Sequence, residues 1–174
     1  MKSDFLGVFL LIFLIIITFS MIRRRRSESR HYDEMQLKLR AAAYQTGFYV
    51  TALGSLLLIF LMDEDLVNLN RFADPSFSVF VVLMTGIITF AVTCIAKEAF
   101  FPVGGGGNTY LFLYTVIVVL NGILSIRRIA DGSIFENGRI TFRTGSGLVC
   151  AMSFLAVLIA ILIKKAQAED EVAE

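Results

Sequence analysis

The 174-residue sequence offers chemistry little to work with: one histidine, two cysteines, and acidic and basic residues that nearly cancel to a formal net charge of +1. His31 lies in a basic stretch with no second metal ligand at helical spacing, so no metal centre and no cofactor is expected. A net charge so close to zero gives no global attraction to nucleic acid. Cys94 lies near the end of one apolar run and Cys150 near the start of another. Both read as small buried apolar residues rather than as a disulfide pair. The apolar runs themselves contain no acid, base or histidine. Proton relays, ion-coupled carriers and intramembrane hydrolases usually place ionisable groups at membrane depth, because their chemistry needs them there. No serine or cysteine has a neighbouring base. An enzyme is not expected.

What the sequence does contain is apolar length. Hydrophobic residues make up 56% of the chain, and the mean hydropathy is +0.74. Charged residues sit in short blocks between runs long enough for a bilayer core, which needs about 20 apolar residues in a helix. Backbone polar groups must pair internally there, so such a run is helical. The sequence predicts an all-α integral membrane protein, a single domain over 1–174, built as a bundle of about five transmembrane helices. The predicted spans are 5–22, 42–62, 77–96, 110–126 and 146–163. The acidic tail, 166–174, is expected to be disordered. The tetra-arginine directly after the first run is the wrong flank for an exported mature end. That run is therefore expected to be a retained anchor rather than a cleaved signal peptide.

The basic segment 23–41 carries a helix start of its own. Asp33 can cap and Gln36 follows three residues later, as in a capping box. Glu34 and Lys38 form an i,i+4 pair in the favoured order. Nothing breaks the helix before Gly47, so it is predicted to run on into the second span. With five spans, the lysines and arginines fall ten on one side and six on the other. The positive-inside rule then sets the N-terminus outside and the C-terminus in the cytoplasm of a multi-pass cell-membrane protein.

Several residue groups are candidates for contact. Arg23, Arg24, Arg25 and Arg26 form a juxtamembrane cluster suited to anionic lipid headgroups, although a pure topology determinant is the simpler reading. Thr85, Thr89 and Thr93 share one face of the third span, and Asn121 and Ser125 one face of the fourth. Gly147 and Ala151 give small-xxx-small spacing in the fifth, as do Ala156 and Ala160. These residues are expected to let helices approach and bond across the bundle, with a polar path as the lesser reading. The glycine run 104–107 lacks the strand before it and the Lys-Ser or Lys-Thr after it that a phosphate loop needs, and reads as a connector. Asn137-Gly138 is the favoured pair for a type I′ hairpin turn. It sets Glu136 opposite Arg139, Phe135 opposite Ile140 and Ser133 opposite Phe142, a short β-hairpin in the last outer loop.

Three pieces together resemble a group of small multi-spanning membrane proteins from Gram-positive bacteria. They are Asp33-Glu34-Met35-Gln36 leading through Leu39-Arg40 to 44–48, then Lys97-Glu98-Ala99-Phe100-Phe101, then Asn137-Gly138 with Ile140-Thr141 and Arg143. The resemblance covers roughly residue 33 to the end. It implies a prokaryotic inner-membrane location and carries over no catalytic residue. The function expected is that of a non-enzymatic accessory or regulatory subunit that binds another protein, embedded in the lipid bilayer. The alternative is a small transporter or channel subunit acting as a homo-oligomer through the Thr85, Thr89 and Thr93 face.

Overall fold

The computed structural model describes residues 32–63, 69–101 and 107–173, with side chains described outside 107–110 and 168–173. The predicted span 5–22, the tetra-arginine and His31 lie outside the described residues. Four long helices account for nearly all the rest: α1 Glu34–Met62, α2 Pro75–Ala96, α3 Gly107–Ala130 and α4 Phe142–Ala173. Each is long and apolar enough to cross a membrane. A 3-10 turn, Leu69–Arg71, precedes α2, and strands β1 Phe135–Glu136 and β2 Arg139–Ile140 lie between α3 and α4.

The starts of α1, α2 and α4 have local causes. Asp33 stands in extended conformation before α1 and its Oδ1 accepts the Glu34 N–H at 2.7 Å. Asp74 does the same for α2, taking the Ser76 N–H at 3.2 Å, with Pro75 at the first position where a missing N–H costs nothing. The reciprocal capping box is found at α4 rather than at α1. The Thr144 N–H reaches the Thr141 hydroxyl at 3.4 Å, and the Thr141 N–H reaches the Thr144 hydroxyl at 3.1 Å. At α1 the Gln36 amide turns away from the cap and donates to the Glu98 carbonyl at 3.0 Å. The sequence pattern was right for a cap and wrong for its second half, because a tertiary acceptor competes for Gln36.

α1 runs from the Asp33 cap into the second span, as the sequence predicts, while α4 overruns its apolar segment at both ends. α1 has 29 residues, about 43 Å at 1.5 Å per residue. α4 continues through the acidic tail to Ala173, where disorder was expected. Hydropathy marks only the stretch suited to hydrocarbon. The backbone can stay helical beyond it, and the Ala-Gln-Ala-Glu tail is rich in good helix formers.

The helices pack as a row, α1 on α2, α2 on α4, and α4 on α3. Few side chains are fully enclosed. Ala91 and Ile95 of α2 meet Val157 and Ile161 of α4, with Phe100, Phe101, Leu111 and Tyr114 packed around them. Outward faces are strongly apolar: Phe48, Ile59, Phe112 and Ile126 are each 67–72% exposed. Such faces suit a hydrocarbon solvent and not water.

Candidate functional site

The up-and-down order gives the bundle two ends. One holds Tyr32 and the start of α1, the turn 97–101 and Lys164; it is called here the basic end. The other holds 69–74 and the hairpin.

At the basic end the turn after α2 is tied on both sides. Ala99 N–H bonds to the Cys94 carbonyl at 2.8 Å and Glu98 N–H to the Ile95 carbonyl at 3.0 Å, the paired bonds of a Schellman motif. The left-handed position of that motif usually belongs to glycine, yet here it is Glu98, with φ of 57°. From just before α1 the Tyr32 hydroxyl donates to the Phe100 carbonyl at 3.3 Å, beside the Gln36 bond to Glu98. From α4 the Lys164 ammonium reaches Glu98 Oε1 at 2.9 Å. The Arg40 guanidinium lies 4.3 Å over the Tyr32 ring, and Tyr44 stacks on Phe90 at 4.1 Å. Tyr32, Gln36 and Arg40 thus serve the fold, while Met35 and Lys38 remain exposed.

At the opposite end the hairpin forms as the sequence predicts, with Phe135 opposite Ile140 and Glu136 opposite Arg139. Asn137 and Gly138 have φ of 53° and 77°, the two positive values a type I′ turn requires. The ladder stops there. Ser133 does not reach the partner position opposite Phe142, because Gly132 at φ of 67° turns the chain and the Ile134 N–H bonds to the Arg128 carbonyl at 3.2 Å. Phe142 instead opens α4 and packs edge-on against Phe80 at 5.0 Å.

The hairpin does not stand alone. Ile140 N–H donates to the Phe72 carbonyl at 2.8 Å, and Asp74 N–H donates to the Ile140 carbonyl at 2.9 Å. Residues 72–74 therefore add a third, parallel strand-like edge to β2. A two-stranded hairpin is marginal in water. This one is zipped to the connection between α1 and α2, and Ile140 packs closely over Gly145 beside Phe77. The α3–α4 corner beneath is held by Arg128, whose Nη1 donates to the Arg143 and Thr144 carbonyls at 2.7 and 3.1 Å. Glu136 Oε2 accepts from the Thr141 hydroxyl at 3.1 Å.

Comparisons of the chain with protein-family models, with curated proteins and with solved structures give no match. The functional reading therefore rests on these residues alone.

Between the two ends, the polar side chains of the predicted spans are placed as follows. Thr85, Thr89 and Thr93 each donate to the carbonyl four residues earlier, at 2.8, 2.8 and 2.7 Å. Their donors are spent within their own helix and not across the bundle. A β-carbon hydroxyl can always reach that carbonyl, and the local bond wins when no partner lies closer. Thr85 also lines an apolar groove of about 380 Å³ between α1 and α2. Asn121, Ser125 and Gly147 come together where α3 meets α4: a β-carbon on Gly147 would sit 3.4 Å from Ser125 Oγ and 3.6 Å from Asn121 Oδ1. Ala151 is buried one turn further along α4. The tightest crossing was not foreseen. A β-carbon on Gly47 of α1 would sit 2.9 Å from the Gly86 carbonyl oxygen of α2. The signal was present as Gly47-x-x-x-Thr51, the same small-residue spacing noted only in the last span.

Proposed function

We propose that this chain is a multi-pass membrane protein that works by binding, as an accessory or regulatory subunit of another membrane protein. The observation that carries this reading is the docked hairpin. An ordered ribbon, bonded through its backbone to a second loop and resting on a fixed helix corner, presents side chains with no task in the fold. Phe72 is 66% and Phe135 59% exposed, and Arg139 is exposed at the tip of β2. Exposed aromatic rings beside an arginine on a rigid support are the composition of an interaction surface.

The transporter reading draws less support. Its path would need polar groups free to serve a solute, and the threonine donors of α2 are already engaged within that helix. The orientation proposed sets the basic end in the cytoplasm and the hairpin outside. Among the described residues the two ends carry five basic side chains each, so the bias that orients the protein comes from the arginines at 23–26 and 30.

Photo-cross-linking in intact cells tests the function. A cross-linker at Arg139 should yield one stoichiometric adduct with a different protein, while one at Thr85 should yield none. An adduct only at Thr85, and only with a second copy of this chain, would replace this reading with the oligomeric transporter.

A further inference from the structure

Under the hairpin lies a cleft of about 360 Å³ lined by Arg128, Ser133, Phe135, Glu136, Arg143 and Thr144. Two guanidinium groups and one carboxylate share it, so it has an excess of positive charge. Arg128 is fixed from below by the Arg143 and Thr144 carbonyls on Nη1, which leaves Nη2 and Nε as donors held in a set direction. Arg143 is exposed, and among the described residues its guanidinium has no carboxylate or carbonyl partner. Glu136 uses one oxygen on Thr141 and keeps the other. The height of the cleft follows from the sequence. Arg127 and Arg128 end the apolar run of α3, and Arg143 stands just before the apolar run of α4. In a bilayer the cleft therefore lies at the plane of the phosphodiester groups, with apolar helix faces directly beneath.

We propose that this cleft binds the headgroup of a phospholipid that carries both a phosphodiester and a primary ammonium group, that is, a phosphoethanolamine headgroup. Arg143 and the free edge of Arg128 take the phosphate oxygens through charge-assisted hydrogen bonds, for which the planar guanidinium is well shaped. Glu136 accepts from the ammonium. A headgroup with three N–H donors satisfies this carboxylate, whereas a quaternary choline has none to give. Phe135 covers the cleft from the hairpin side. The assignment rests on the membrane placement proposed above and is independent of any protein partner.

The test is native mass spectrometry of the full chain in detergent, titrated separately with phosphatidylethanolamine and phosphatidylglycerol of identical acyl chains. Wild-type protein should hold phosphatidylethanolamine more tightly. Arg143→Ala should weaken both lipids about tenfold or more, since each lost bond to a charged group is of that order. Arg127→Ala removes the same charge from the neighbouring position on α3, outside the cleft, and should leave both unchanged. Glu136→Gln should abolish the preference between the two lipids. Equal lipid binding by wild type and Arg143→Ala, or equal losses with Arg127→Ala, would overturn the site. Soluble O-phosphoethanolamine binding as tightly as the lipid would overturn the lipid as its source. Membrane fractionation of the same cells reports separately on the membrane reading, and thermal unfolding confirms that each variant is folded.

Discussion

The Glu98 carboxylate of the turn after α2 accepts from the Lys164 ammonium of α4 at 2.9 Å, while the Glu98 backbone stands at a φ of 57°. The same residue therefore makes a favourable contact from an unfavourable conformation. Lys164 is 33% and Glu98 73% exposed, and pairs so open to solvent contribute about 0–1 kcal/mol. A left-handed conformation costs an L-residue about 1–2 kcal/mol relative to glycine. Glu98→Gly should thus be neutral or stabilising by up to about 1 kcal/mol, whereas Glu98→Gln, which keeps the backbone cost and loses the charge, should destabilise slightly. Unfolding midpoints in mild detergent compare the two. A glycine variant clearly less stable than wild type would show that the ion pair outweighs the backbone.

The threonine face of α2 gives a second expectation. Because the hydroxyls of Thr85, Thr89 and Thr93 bond only to their own helix, valine at any of them keeps volume and removes a bond of small net value. Interhelical hydrogen bonds in membranes average about 0.6 kcal/mol, and these local ones should count for no more. Thr89→Phe adds bulk on a half-buried face and should disturb packing or assembly. Intact assembly with phenylalanine, together with solute flux lost on valine substitution, would promote the transporter reading instead.

Orientation can be checked at two exposed side chains on opposite ends, Lys38 and Arg139. In a Cys94→Ser, Cys150→Ser background, a cysteine at position 139 should react with a membrane-impermeant maleimide in intact cells. One at position 38 should react only after lysis. The reverse pattern would place the hairpin in the cytoplasm.

The contrast between what the sequence showed and what it hid has a physical basis. The cap at Asp33 and the turn at Asn137-Gly138 are decided by residues within a few positions of one another, and local chemistry specifies them. α1 begins at the Asp33 cap and ends with the apolar run at Met62, as the sequence predicts. α4 outruns its predicted span because hydropathy reports solvent preference, while helix continuation depends on backbone bonding and propensity. The bond from Gln36 to Glu98 spans 62 residues, and the pairing of 72–74 with Ile140 is likewise non-local. No window along the chain contains both partners. Arg128 looked like one half of a basic flank. Its role as the clamp on α4 depends on where the α3–α4 corner folds, which the hairpin and Gly132 decide together. The candidate cleft was invisible for the same reason: its six lining residues are scattered across 128–144 and converge only once that corner is made.

The closest approach in the bundle yields the sharpest prediction. A β-carbon on Gly86 would overlap Thr51 Oγ1, and would lie 3.0 Å from the Gly47 carbonyl oxygen and 3.1 Å from Thr51 Cβ. A β-carbon on Gly47 would instead meet the Gly86 carbonyl oxygen at 2.9 Å and Phe90 Cβ at 3.0 Å. Alanine raises helix propensity over glycine by about 1 kcal/mol, but overpacking a tight contact costs about 1–3 kcal/mol. Both Gly47→Ala and Gly86→Ala should therefore destabilise the α1–α2 pair in spite of better propensity. The two differ in what stands in the way. At Gly86 the nearest atom is a side-chain hydroxyl, held by its bond to the Gly47 carbonyl at 2.9 Å, and Thr51→Ala removes it. At Gly47 the obstacle is backbone. Thr51→Ala should accordingly recover about 1 kcal/mol of the Gly86→Ala loss in a double-mutant cycle and none of the Gly47→Ala loss. Equal recovery at both positions would mean that α1 and α2 separate as rigid bodies around either methyl group, and that the local contact at Thr51 does not set their distance.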